Sequence, residues 1–153
     1  MADSIRERII LAVMDHLATW TTANGYNISC GDNVYRARHF WEISDAPAAS
    51  IWPGTESNEP GYSQHYNTMP LRIEALTTYT TSQNPSVLSE LMLADMKLLM
   101  GQKRSDTVDE LADSVIYAEG GVDDYPDSSQ TVIGCYTTFN IAYWENKNNP
   151  YSQ

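Results

Sequence analysis

The sequence predicts an α+β fold, in which a mixed, mainly antiparallel sheet carries two amphipathic helices packed on one of its faces. Apolar residues recur at helical spacing in two segments, residues 5–20 and 84–101, and strand-like alternation fills most of the chain between and after them. No internal repeat, low-complexity tract or linker interrupts this pattern. We therefore expect residues 1–153 to form one domain, with a polar C-terminal tail from about residue 145.

The first helix is predicted from its start signal and its apolar stripe. Ser4 and Glu7 have the spacing of a capping box, and Asn24-Gly25 supplies a stop, since glycine tolerates the left-handed conformation that commonly ends a helix. The stripe follows at spacings of four, four, four and three: Ile5, Ile9, Val13, Leu17 and Trp20. We expect this stripe to face the core.

The next segment, residues 26–42, is predicted to be mostly strand, with Arg36 and Arg38 projecting together from one face. Two interpretations of these arginines remain open. They can be surface charge, or an ion pair with Glu74 across the sheet. Alternatively, they form a basic patch that docks on an acidic neighbouring subunit.

Two further strands are predicted in the middle of the chain. Residues 48–52 are an apolar run closed by Pro53-Gly54, and residues 69–79 alternate again. The intervening residues 54–66 are polar and rich in turn formers, which predicts a mobile surface loop. We expect the two strands to be neighbours joined by this loop.

The second helix begins at Asn84-Pro85, where asparagine caps and proline costs no hydrogen bond, and ends at Gly101. Its predicted inner stripe is Leu88, Met92, Met96 and Leu99, widened by Val87, Leu91 and Leu98. A short helical turn at 107–112 and a strand at 114–118 follow. The last strand, residues 131–144, alternates with one apolar face: Ile133, Cys135, Phe139, Ile141 and Tyr143.

Charge and composition narrow the function classes. The net charge is −11, from 20 acidic and 9 basic residues, so a general nucleic-acid-binding role is disfavoured, because such proteins need cations to neutralise phosphates. The first residues are charged and no apolar run reaches the length of a membrane span, which predicts a soluble protein made in the cytoplasm. Cys30 and Cys135 have no metal-binding spacing and are expected to be buried, reduced thiols.

No catalytic or metal-binding pattern emerges from the residues. The three histidines lie on different predicted elements, and nucleotide-binding or nucleophile motifs are missing from the sequence. Asp123, Asp124 and Asp127 form an acidic loop that suits a solvated turn, or a Ca²⁺ site without the spacing of an EF-hand. We expect a non-enzymatic protein with no cofactor and no metal.

Four segments in order resemble the tail terminator proteins of long-tailed bacteriophages: SIRERIILAVMDHL, NVYRARHFWEISDAPAASIWPGTE, NPSVLSELMLADMKLLM and YTTFNIAYWENKNNPY. The shared features are an R-x-R strand, an acidic residue before a proline and an apolar strand ending in glycine, and a final I-x-Y strand before a proline-containing tail. In this chain they are Asp45, Pro47, Ile51 and Gly54 in the middle, and Ile141, Tyr143 and Pro150 at the end.

The resemblance implies a hexameric ring on the head-proximal end of the tail tube. Such a ring stops polymerisation of the tube protein and presents a surface to the head–tail connector, while DNA passes through its lumen without specific binding. The implied location is the virion tail. Asp123, Asp124 and Asp127 are our candidates for an acidic lumen or loop. The candidate contacts to neighbouring subunits or to the tube are Arg36, Arg38, Trp52, Glu56, Glu59, Tyr62, Tyr66, Trp144, Lys147 and Tyr151.

Three alternatives stay open at the level of the sequence. A related neck or completion protein would bind the portal instead of the tube. A small acidic binding module would work as a monomer or dimer. An enzyme would require a deep pocket with perturbed titrating groups.

Overall fold

A computed structural model describes residues 2–38, 43–102, 104–122 and 131–153, and it has the predicted α+β architecture. The helices are α1 (Ile5–Leu17), α2 (Pro85–Gly101) and α3 (Asp106–Leu111). The strands are β1 (Val34–Arg36), β2 (Ala48–Pro53), β3 (Ser57–Pro60), β4 (Gln64–Thr78), β5 (Ala112–Val122) and β6 (Val132–Asn146). They form a sheet in the order β1-β2-β4-β6-β5, in which β3 also pairs with β4. Only the β1–β2 pair among these described strands is parallel.

The core lies between the sheet and its helices, where the sequence pattern places it. The inward residues of β4 and β6 are buried, and so are the main stripes of α1 and α2, except that Leu88 is half-buried. The predicted inner faces are thereby confirmed: Met69, Leu71, Ile73 and Ala75 on β4, and Ile133, Cys135, Phe139, Ile141 and Tyr143 on β6. Cys30 and Cys135 are buried and neither is in a disulfide, as predicted, and burial raises the pKa of the Cys30 thiol.

Both long helices form as predicted, with two corrections. Ser4 Oγ accepts the Glu7 N–H at 3.1 Å, but α1 ends at Leu17. The predicted stop at Gly25 (φ 93°) instead ends a separate 3-10 turn, Thr22–Asn24. On α2, Val87 and Leu98 are exposed and Leu91 is half-buried, so these residues do not widen the inner stripe.

The predicted strand at 26–42 is mostly wrong, because among its described residues, 26–38, only Val34–Arg36 is strand. A 3-10 turn occupies Cys30–Asp32. Ala37 has a φ of 52°, in the left-handed region that alanine rarely adopts, and this breaks the alternation between Arg36 and Arg38. Residues 39–42 lie outside the described part of the chain.

The predicted mobile loop at 54–66 is wrong as well. Ser57–Pro60 and the first residues of β4 form an antiparallel hairpin that turns at residues 61–63. Strand β4 thus extends beyond the core. Strand β2 pairs with residues 71–76 of β4, and β3 pairs with residues 65–68. As predicted, β2 and β4 are neighbours.

The C-terminal tail is polar, but it is folded against the rest of the protein. Strand β6 continues to Asn146, and the Lys147 N–H donates to the Ser63 carbonyl at 2.9 Å. The Pro150 carbonyl accepts the Ile5 N–H at 2.8 Å, and Gln153 Nε2 donates to the Leu111 carbonyl at 2.7 Å. These bonds satisfy backbone groups that a free tail would leave to water. None of the helices in the described residues is long and apolar enough to span a membrane.

Candidate interaction surface

The predicted contact residues fall mainly in two places on the sheet. Arg36 and Arg38 lie at and just after β1, one side of the sheet. Most of the others lie where β3, β4 and β6 extend past the core. We call this second region, residues 57–68 and 142–153, the hairpin end.

Both arginines near β1 are ion-paired within the chain. Arg36 donates to the two Glu7 carboxylate oxygens at 2.6 and 2.9 Å. The hydrogen bond from Arg36 lowers the pKa of Glu7, and the same bond raises the pKa of Arg36. Arg38 lies 3.1 Å from Asp45 and stacks over the Tyr35 ring at 4.3 Å.

The ion pair predicted between these arginines and Glu74 does not form. Glu74 Oε1 instead accepts from Arg72 Nε at 2.8 Å, because these two residues lie on the same face of one strand. Trp52 is half-buried on β2, directly opposite Arg72.

A row of acidic and aromatic side chains crosses the hairpin end. Glu59 on β3 pairs with Tyr66 on β4, and Tyr66 pairs with Trp144 on β6. The Tyr66 and Trp144 rings are 4.6 Å apart, and the Tyr66 hydroxyl donates to Asp113 Oδ2 at 2.8 Å. The hydrogen bond to Asp113 raises the pKa of Tyr66. We call Glu59, Tyr66, Trp144 and Asp113 the acid–aromatic row.

The tip of the hairpin end exposes three more candidates. Tyr62 is fully exposed in the turn, and exposed Lys147 is tied through its backbone to Ser63 in the same turn. Tyr151 is exposed beside Pro150, whose carbonyl caps the start of α1. The structure therefore brings the predicted 54–66 and 145–153 segments together.

The Glu56 carboxylate interacts with side chains of its own chain. The buried Tyr143 hydroxyl donates to its carboxylate, and Arg6 Nη1 lies 3.5 Å from the same oxygen. Arg6 also donates to the Gly54 carbonyl at 2.7 Å. Glu56 thus fixes the passage from β2 to β3 against α1. The remaining candidates, Asp123, Asp124 and Asp127, lie outside the described residues.

The hollows on the described surface are lined largely by polar side chains. One of about 450 Å³ lies beside the hairpin end, and its walls include Gln64, Glu110, Asp113 and Trp144. Another, of about 480 Å³, includes His16, whose Nε2 is 2.9 Å from the Leu99 carbonyl. No group of three or more His, Cys, Asp or Glu in the described residues could hold a metal ion.

Sequence reasoning missed Asp113, which ends the acid–aromatic row. It lies within a register shift of β5, between Ala112 and Ser114, where the strand pairing with β6 slips by one residue. A bulge of this kind re-aims a side chain. The only signal in the sequence was an acidic residue directly after the short helical turn, which is too common to identify a contact.

No protein-family model matches this chain, and no curated protein sequence matches it.

Proposed function

We propose that this chain is a tail terminator of a long-tailed bacteriophage. In this role it caps the head-proximal end of the tail tube as a ring, most simply a hexamer. The ring ends polymerisation of the tube and presents the surface that joins the head–tail connector. The family resemblance suggests the role. One observation on the described residues supports it: their helices cover one face of the sheet, and strand edges remain at both sides.

The two edges supply two different patches, which a ring requires. A ring closes by heterologous contacts, in which one patch of each subunit meets another patch of the next. Strand β5 ends the sheet on one side with 11 residues, and β1 ends it on the other with three. Within the described chain, no further strand pairs with the outer edge of either. Unpaired edge groups are a ready template for pairing with another chain.

Surface charge and the hairpin end fit the same proposal. The net charge of −11 would let DNA pass a lumen without sticking, because phosphates are repelled by carboxylates. The hairpin end offers a surface with exposed Tyr62, Lys147 and Tyr151 for the tube or the connector. The protein would be made in the host cytoplasm and end in the virion tail.

The test is electron microscopy of the protein mixed with assembled tail tubes, together with mass measurement of the free protein. We expect a six-fold cap at one tube end. Bare tubes together with binding to a portal ring would contradict the proposal and support a neck protein. Binding to neither would support an acidic binding module.

A pair of variants tests the edge contact itself. Ile116 on β5 is 60% exposed, so Ile116→Lys should fold normally and abolish capping, because an edge lysine opposes strand pairing. Val87→Lys replaces an exposed apolar residue on α2 and is the matched control, which should cap tubes normally. Normal capping by Ile116→Lys would remove the β5 edge from the ring contact.

A further inference from the structure

The acid–aromatic row lies on the sheet face that the helices leave uncovered. Asn67 and Tyr143, the chain neighbours of Tyr66 and Trp144, are buried on the helix side. Since side chains alternate along a strand, Tyr66 and Trp144 point to the opposite face. Trp144 is 42% exposed even though its ring contacts Tyr66.

This face is acidic at both ends of the row. Glu59 is exposed, and neither it nor Asp113 has an ion pair among the described residues. The adjoining hollow adds the exposed Glu110. Asp109 in the same hollow is offset by Arg104, 2.8 Å away. The row therefore has aromatic surface and uncompensated negative charge together.

At two other places in this chain, an arginine lies between an aromatic ring and a carboxylate. Arg72 stacks over the Tyr136 ring at 3.9 Å and binds Glu74 at 2.8 Å. Arg38 likewise stacks over Tyr35 and binds Asp45. A guanidinium between a ring face and a carboxylate combines cation–π attraction with charge-assisted hydrogen bonds. In the acid–aromatic row the rings and carboxylates are present, and no described residue supplies the cation.

We propose that the acid–aromatic row binds an arginine side chain from a basic segment of a partner protein. The guanidinium stacks on the Trp144 and Tyr66 rings and pairs with Glu59 or Asp113. Charge complementarity selects this partner, since a nucleic acid or an anionic membrane would be repelled by the same carboxylates. The proposal does not depend on the tail-terminator role and applies to whatever assembly the chain joins.

The experiment is an NMR titration of the ¹⁵N-labelled full chain with the peptide acetyl-Gly-Arg-Gly-Arg-Gly-amide. The readout is the indole N–H signal of Trp144, identified by its loss in Trp144→Phe. The reference peptide carries citrulline in place of arginine, which keeps the shape and removes the charge. We expect the arginine peptide to shift the Trp144 signal and the citrulline peptide to leave it unchanged. Salt at about 0.5 M should weaken binding of the arginine peptide. Equal shifts with the citrulline peptide would overturn the proposal.

Two double variants locate the site. Glu59→Gln with Asp113→Asn should weaken binding at least about tenfold, while an amide oxygen remains for the Tyr66 hydroxyl. Asp15→Asn with Glu90→Gln removes the same charge from exposed positions on α1 and α2 and should bind as the parent does. Dispersed amide spectra establish that both variants fold. Equal weakening in both would mean that net charge acts without a site, which overturns the proposal.

Discussion

Replacing Asp95 by alanine tests how the chain between the first helix and the sheet is held. Asp95 is 2% exposed on α2. Its carboxylate accepts the Trp20 indole N–H at 3.0 Å and the Ile28 N–H at 3.1 Å. It also accepts both the backbone N–H and the side-chain amide of Asn27, the latter at 2.7 Å. One side chain therefore ties α2 to Trp20, just after α1, and to the segment that follows.

The expected loss of stability depends on which of these N–H donors can hydrogen-bond to water after the substitution. Asn27 is exposed and Ile28 half-buried, so their N–H groups can be rehydrated after the substitution. The Trp20 indole is fully buried and would be left unsatisfied, which costs about 1–3 kcal/mol. The loss of the other hydrogen bonds to the carboxylate increases this cost. The substitution also removes a buried carboxylate, whose desolvation disfavours folding, and this reduces the cost. We expect the free energy of unfolding to fall by about 3 kcal/mol in Asp95→Ala.

The assay is urea or thermal unfolding followed by tryptophan fluorescence. For a chain of this size, about 3 kcal/mol corresponds to a fall in Tm of roughly 6–12 °C. Glu90→Ala, an exposed acidic residue on the same helix, is the matched control and should change stability by less than about 0.5 kcal/mol. A loss in Asp95→Ala as small as that of the control would refute the reasoning.

Two further predictions concern charge and close packing. The pKa of Glu7 is lowered by Arg36, so their pair stabilises the fold above the usual carboxyl pKa and less as pH falls through the lowered value. The stability cost of Arg36→Gln should therefore shrink between about pH 7 and pH 3; an unchanged cost in urea unfolding would contradict this. Gly31→Ala should destabilise by about 2–3 kcal/mol, because its Cβ would lie 2.5 Å from the Leu17 carbonyl oxygen. Gly101→Ala, which meets nothing within 4 Å, should not destabilise the fold in the same measurement.

The core of the fold was predictable because burial imposes a period on the sequence. Strand β6 shows this most clearly, since its inward residues from Ile133 to Tyr143 are apolar apart from Thr137. A slip of one residue would expose all of them, so the pattern determines which face packs against the helices. The bounds of α2 were equally predictable, because Asn84 and Pro85 act locally as start signals.

The segment between α1 and β1 was not predictable for the opposite reason. Its conformation depends on residues far away in the chain, such as Asp95, which holds Asn27 and Ile28. Gly31 is packed against the backbone that ends α1, and its N–H donates to the Trp20 carbonyl. Alternation in a single sequence contains no information about such contacts, so the segment resembled a strand.

The hairpin end escaped prediction because both of its faces are largely polar, although it carries most of the candidate contacts. All four residues of β3 are exposed, so no apolar alternation reveals the strand. Order comes instead from pairing with β4, from the Tyr143 and Arg6 contacts of Glu56, and from the bond between Lys147 and Ser63. An ordered surface loses less conformational entropy on binding than a mobile loop would. The same contacts that hide this region from sequence analysis thus prepare it to meet a partner.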